Sequence, residues 1–220
     1  AAFAAGGSRV VSGKPEAWDA GDGRLVGVMP PIGMVTAMAP GPGSLVARGT
    51  AMGTAYVDDC QHGTRIAKLS GHARSILDAA FTPTGDRVVT ASDDGTARVW
   101  ETATGKELHV LRAHEAAVEK ILVTPDGRRI ITASADGSVR IWDAAAGREL
   151  CSLPGSRETP RAIALDPAGT RLVTAAGGIV RIWGLSNAAV IAARQAAAAR
   201  AVVAPPAHSE TPPGRPDPAD

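Results

Sequence analysis

The chain has 220 residues and a formal net charge of +1; it is 45 % hydrophobic, only 3 % aromatic, and carries two cysteines. It holds no run of about 18 apolar residues that could span a membrane, and its Ala-rich start lacks the basic flank and long apolar stretch of a signal peptide. Balanced charge without a clustered basic face gives nucleic acid no electrostatic footprint, and Cys60 and Cys151 are too few for a disulfide framework, so a reducing, cytoplasmic setting is expected.

In chain order, residues 3–12 read FAAGGSRVVS and align with residues 81–90, FTPTGDRVVT. This first copy, about 3–25, closes on Trp18 and Asp19, but its tight turn is shortened and has lost its Asp. Pro15 cannot donate to a ladder, so an irregular hairpin is expected there. A second, degenerate copy spans about 26–68, with strands expected at Met34 to Met38, Leu45 to Arg48, Thr54 to Val57 and Arg65 to Leu69. In it Asp58 takes the slot that tryptophan holds elsewhere. Asp58, Asp59, Cys60 and His62 are all metal-ligand types, but their register assigns them to the loop between third and fourth strands, and no ligand role is expected.

Residues 69–110 and 111–152 are the best copies. Trp100 to Trp142 and His72 to His114 share one interval of 42 residues. Self-similarity at this period marks stacked supersecondary units. In the first of the two, alternating or β-branched runs at Ser75 to Phe81, Arg87 to Ala91 and Thr96 to Trp100, with a weaker one at Glu107 to Leu111, are separated by turn signals. Asp94-Gly95 and Asp136-Gly137 are the tightest of these, because Asp tolerates positive φ and Gly adopts it at no steric cost. Four strands and three turns make one antiparallel sheet, which cannot bury both faces alone and must stack on a neighbour.

A fifth copy, 153–186, keeps Pro167, Gly169, Arg171, Thr174 and Trp183 in register. Ser156 stands where the His should be, and Gly177 or Gly178 replaces the turn Asp. In the Ala-rich segment 187–203, Val190 and Ile191 fall in the register of an outer strand, while the Ala run and Asn187 as a cap favour a helix; the helix is the expectation. Residues 204–220 are Pro-rich and expected to be disordered.

The Gly-His opening, the Asp-Gly turn and the Trp-Asp close resemble the WD-repeat (WD40-type) β-propeller family, most closely over 69–152, then over 153–184, and faintly over 3–68. The resemblance implies an all-β propeller of about four or five four-stranded antiparallel blades, incomplete or open, within residues 1–186. It also implies buried hydrogen-bonded sets made of His72, Thr90, Asp94 and Trp100 in one blade and His114, Thr132, Asp136 and Trp142 in the next. These histidines and aspartates are therefore expected to be structural. A general-base pair would need convergent side chains in an open cleft, and each pair belongs to its own blade.

Neither a nucleophile motif, a phosphate loop nor metal-ligand spacing stands out, so no catalytic residue, metal or cofactor is expected. The resemblance implies binding of proteins or peptides on the narrow face of the ring. The positions that face it are Ser75, Leu77 and Asp93, then Ala117, Glu119 and Ala135, with Thr159 and Arg161 offered by register in the fifth copy. The expected function is a non-catalytic protein-protein interaction scaffold, forming the C-terminal part of a longer protein, since the first copy lacks its beginning. The alternative is a sensory or regulatory segment of a multidomain kinase, protease or NTPase. Nucleic-acid and membrane partners are not expected, whereas an open arc would expose a blade face at each end and invite association there.

Overall fold

The computed structural model describes residues 2–4, 9–11, 14, 16–153 and 158–186. The Ala-rich segment, the Pro-rich tail and Ser156 lie outside the described residues. Every regular element among the described residues is a strand, and the strands form five antiparallel sheets that follow chain order. The first sheet contains β1 (Ala2–Ala4), β2 (Arg9–Val11), β3 (Glu16–Asp19) and β4 (Leu25–Val28). The second contains β5 (Val35–Pro40), β6 (Leu45–Thr50), β7 (Thr54–Asp59) and β8 (Thr64–Ser70). The third contains β9 (Ile76–Phe81), β10 (Arg87–Ser92), β11 (Thr96–Glu101) and β12 (Glu107–Arg112). The fourth contains β13 (Val118–Val123), β14 (Arg129–Ser134), β15 (Val139–Asp143) and β16 (Glu149–Leu153). The fifth has three described strands, β17 (Ala162–Leu165), β18 (Arg171–Ala176) and β19 (Ile179–Gly184).

The first strands of successive sheets touch, β1 against β5, β5 against β9, β9 against β13 and β13 against β17, so they line a common axis and the sheets radiate from it as blades. Among the described residues the arc does not close. Because side chains alternate across a strand, each blade has a leading face, toward the preceding blade, and a trailing face. In β10, Val88 packs with Trp100 against the trailing Ala47, Ala55 and Val57 of blade 2, while Val89, Ala91 and Val99 pack against the leading Ile130 and Trp142 of blade 4. Ile131, Ala133, Val139 and Ile141 meet the leading Leu172 and Trp183 of blade 5 in the same way. Between blades 1 and 2 the cluster is smaller, with Val11 and Ala17 on Val46 and Cys60.

A second repeated contact ties the blades. The Arg87 guanidinium donates to the Ala144 carbonyl at 2.7 Å, and Arg129 donates to the Leu185 carbonyl. Each acceptor lies two residues after a blade's tryptophan. Leu45 holds the arginine position in blade 2, and the Thr102 hydroxyl at the matching acceptor residue is buried without a partner.

The described strands shift several expected ends by one or two residues, as at β5, β6 and β8, and one shift bears on the candidate ligands. Asp58 and Asp59 continue β7 rather than leaving it, and the turn runs only from Cys60 to Gly63. There Asp58 pairs with Arg65 and Asp59 with Thr64 in the β7–β8 ladder. Among the described residues no helix is long and apolar enough to cross a membrane.

Candidate functional site

In blades 2 to 5 the start of the inner strand and the tight turn between second and third strands share one end of the blade. In blade 3 the turn Asp93-Asp94-Gly95 is closed by Gly95 at φ 80°, and in blade 4 Gly137 sits at φ 85°, the left-handed region glycine enters freely. Asp94 then reaches back to the loop before β9. Its Oδ2 lies 2.9 Å from His72 Nδ1 and accepts from the Ala73 backbone N–H at 3.0 Å, while its Oδ1 accepts from the Thr96 hydroxyl at 2.6 Å. Thr90 Oγ1 accepts from Trp100 Nε1 at 2.9 Å and lies 2.8 Å from His72 Nε2. A hydroxyl that already accepts from an indole has its own proton to give, so Nε2 is the acceptor and the imidazole carries its proton on Nδ1, aimed at Asp94.

Blade 4 repeats this geometry. His114 lies 2.8 Å from Asp136 through Nδ1 and 2.8 Å from Thr132 through Nε2, Trp142 Nε1 donates to Thr132 at 2.9 Å, and Ser138 donates to Asp136 at 2.7 Å. Burial holds both imidazoles below their ordinary pKa, against the pull of their aspartates, so they are neutral. Burial also works to raise the Asp94 and Asp136 carboxyls, but their hydrogen bonds outweigh it: Asp94 falls well below the usual range and Asp136 to about 2. A neutral buried histidine and a fully engaged carboxylate tie the tight turn to the loop before the inner strand.

Blades 2 and 5 depart from this pattern. In blade 5 Trp183 Nε1 still donates to Thr174 Oγ1 at 3.0 Å, and the turn is Gly177-Gly178, both at positive φ. In blade 2 the repeat interval sets Arg48 on the Thr90 position, Asp58 on that of Trp100 and Pro30 on that of His72. Arg48 and Asp58 are both fully buried and paired at 2.5 Å. Arg65 adds a second ion pair to Asp58 at 3.1 Å, and both arginines donate to the Pro30 carbonyl. A charged pair thus replaces a hydroxyl and an indole. Asp58 was legible at the Trp position; Arg48 was missed, although the same interval finds it. Asp59 is spent on the turn, 2.6 Å from His62 Nδ1 and accepting from the Gln61 N–H. Among the described residues no group of three or more His, Cys, Asp or Glu is arranged to hold a metal.

The remaining sequence-derived positions lie at or near the inner-strand starts and tight turns of blades 3, 4 and 5. The Asp93 N–H donates to the Ser75 carbonyl and the Ala135 N–H to the Ala117 carbonyl, each at 2.9 Å, which brings those pairs together. Leu77 and Glu119 have no opposite partner in their ladders: Ile76 and Asp78 pair with Ser92 and Ala91, and Val118 and Lys120 with Ser134 and Ala133. Both are β-bulge residues, a device that re-aims a side chain and that hydrophobic alternation alone did not disclose. Arg161 is exposed ahead of β17, with its N–H bonded to the Ala175 carbonyl, and Thr159 is half-buried beside it.

Between blades 3 and 4 this face carries a groove of about 500 Å³, bounded by Arg74, Asp93 and Asp94 on one side and His114, Glu115 and Ala117 on the other. Asp93 and Ala117 line it; Leu77, Glu119, Thr159 and Arg161 do not. A second groove, about 450 Å³, opens on the opposite face beside Asp86, Asp126 and Asp143. Its carboxylates are taken up by their own turns: Asp86 accepts from Thr82 and Thr84, Asp126 from Thr124 and the Arg128 N–H, and Asp143 from two backbone N–H groups. Asp93 is exposed and meets only Arg74, at 3.4 Å. The rim groove has the freer carboxylates.

Radial antiparallel blades, two of them bonded by a His-Thr-Asp-Trp set, define a repeat propeller. The model of the WD domain, G-beta repeat, matches residues 63–101, 105–143 and 147–184, just over half of the sequence, and the chain belongs to that WD-repeat family. Comparison with curated proteins finds no match. Among solved structures it is similar to the computationally designed Ika8 protein, with a TM-score of 0.70 and 26 % identity over 79 % of this chain and 53 % of that one. It is also similar to the computationally designed Ika4 protein, with a TM-score of 0.68 and 26 % identity over 74 % of this chain and 99 % of that one. The chain therefore spans about half the length of Ika8.

Proposed function

We propose that the chain is a non-catalytic platform that holds an extended segment of a partner protein in the rim groove between blades 3 and 4. WD repeats are in general protein-interaction scaffolds, and the observation that carries the finer reading is the groove itself. It is walled by turns that two saturated hydrogen-bond sets make rigid, and it offers exposed Asp93 and Glu115 against a single arginine, Arg74. A preorganised groove loses little freedom on binding, which favours affinity. Its acidic bias selects a segment bearing Lys or Arg, with the bulged Leu77 and Glu119 extending contact toward the axis. A reducing, cytoplasmic setting belongs to the same reading and is supported by Cys60 and Cys151, both buried and unbridged.

The test is selection of a random peptide-display library on the immobilised chain, repeated on an Asp93→Lys/Glu119→Lys variant and on a Leu77→Ala/Glu119→Ala/Arg161→Ala variant. Enrichment of basic peptides on the native chain, lost by about tenfold or more on the charge-reversed variant with its unfolding midpoint intact, supports the groove. Equal enrichment on all three removes it.

A further inference from the structure

Blade 2 lacks the His-Thr-Asp-Trp set, and two apolar side chains face outward where blades 3 and 4 carry polar or small ones. Its tight turn is built as theirs are: the Gly53 N–H donates to the Thr50 carbonyl and the Ala51 N–H to the Met34 carbonyl, as Gly95 donates to Ser92 and Asp93 to Ser75. Met52 therefore holds the place of Asp94 and Asp136, and Met34 that of Ser75 and Ala117, both at the rim end of the blade. A turn carboxylate would find no imidazole to hold there, because Pro30 stands in place of the histidine. The residue freed from that duty is a methionine that is 85 % exposed, and Met34 is 72 % exposed. They are the two most exposed large apolar side chains among the described residues.

The pair is fixed to the wall of the rim groove. At Gly53, φ 75°, a Cβ would fall 2.4 Å from the His72 carbonyl oxygen and 2.7 Å from that of Arg74, so the turn is seated directly on the loop that ends in Arg74. The Thr36 hydroxyl, two residues after Met34, donates to the Ile76 carbonyl at 2.6 Å and ties the inner strand of blade 2 to that of blade 3. Arg74 and Asp93 then form one wall of the groove, with Glu115 on the other. The equivalent seat of Gly95 is wider, 3.8 Å to the His114 oxygen and 3.4 Å to that of Ala116, and the groove opens there. One face thus runs from an apolar pair on blade 2 to exposed carboxylates on blades 3 and 4.

Thioethers are unbranched and polarisable, and they make favourable contacts with aromatic rings. Packed sheets lie about 10 Å apart and an extended chain advances about 3.3 Å per residue, so a segment crossing one to one and a half blades uses about three to five residues. We propose that Met34 and Met52 form an apolar subsite for an aromatic side chain of the partner segment, about three to five residues from the Lys or Arg that the groove takes. This rests on the reading of the groove as a site for a basic segment, and it adds a second anchor and a register.

The experiment is fluorescence polarisation with short labelled Gly/Ser peptides. One carries a Lys-Arg pair alone; others carry the pair with a tryptophan about four residues before it, about four residues after it, or next to it. The last carries the tryptophan alone. Each is titrated with the native 220-residue chain, a Met34→Gln/Met52→Gln variant and an Asp93→Lys variant. On the native chain one of the spaced peptides is expected to bind about tenfold tighter than the peptide with the basic pair alone. The methionine variant is expected to lose that gain, to keep its affinity for the basic peptide and to unfold at the native midpoint. Asp93→Lys is expected to weaken every peptide that carries the pair, and so reports on the groove.

Equal binding of the basic and spaced peptides to the native chain overturns the subsite and leaves the groove intact. A gain that survives in the methionine variant, or an equal gain from the adjacent tryptophan, overturns it as well. If the basic peptide does not bind while the tryptophan peptides do, and only with both methionines present, the groove reading falls and the apolar subsite stands. If no peptide binds at about 1 mM chain, both fall. A native dimer seen by light scattering and abolished in the methionine variant assigns the pair to a second copy, and likewise overturns the proposal.

Discussion

Thr90 shows how much one hydroxyl can carry in this fold. It accepts from Trp100 and gives its proton to His72, so a methyl in its place strands a buried indole N–H and a buried imidazole nitrogen together. Thr174 serves Trp183 alone. Leaving a buried polar group unpaired costs about 1–3 kcal/mol, so Thr90→Val is expected to lower stability by about 2–4 kcal/mol and Thr174→Val by about half as much; equal shifts in the urea midpoint would remove Thr90 from its central position. The same sets give the protein an acid sensitivity of definite sign. The folded chain holds His72 and His114 below 6.5, so the unfolded chain binds protons that the folded chain does not, and stability falls as pH drops from 6.5. Asp94 and Asp136, lowered from 3.8, contribute stability above that value and lose it as pH falls further, Asp136 toward about 2. Asp78, raised by burial on the inner strand, acts in the opposite sense and blunts this second step. Denaturation at pH 7.5 and 5 is expected to show a lower midpoint at the acid end, reduced in slope by His114→Gln. Identical midpoints would show that the imidazoles are not held neutral by the fold.

At the scale of a single blade, the second one solves the interblade problem differently. Arg48 and Asp58 take the places of a threonine and a tryptophan, and the pair survives burial because Arg65 and the Pro30 carbonyl complete its contacts, although Arg48 Nη1 keeps no partner. Removing one partner of a buried ion pair is worth about 3–5 kcal/mol, whereas replacing both by apolar groups of similar volume is close to neutral. Asp58→Ala and Arg48→Ala are therefore each expected to destabilise by that amount, and Arg48→Met/Asp58→Leu by less than either, as read from urea midpoints. A double variant as costly as the sum of the singles would mean that the pair does more than fill and neutralise this space. The blade also marks the limit of legibility. Strand order, the tight turns and the Trp positions were readable because the repeat fixes them by interval and by Gly at positive φ. The Arg48 pairing was not read, because composition at one position does not disclose a compensating change across the ladder, and the bulges at Leu77 and Glu119 were not, because they insert one residue without disturbing the landmarks on either side.

For the whole molecule, the blades are quasi-independent units joined by nearest-neighbour contacts, so stability is expected to vary along the arc as a sum of blade and interface terms. Blades 3 and 4 have both complete polar sets, four strands each, an interface on both faces and the Arg87 clamp between them. Blade 5 has one described interface and no imidazole among its described polar contacts, and blade 1 has short strands and, among the described residues, the smallest cluster. Amide hydrogen exchange is expected to grade accordingly: slowest in β10 and β14, faster in β6, and fastest in β2 and β18, because local opening there breaks a single interface. Uniform protection across all five sheets would mean that the arc unfolds as one cooperative body, and the interface ledger between blades would then not govern how it opens.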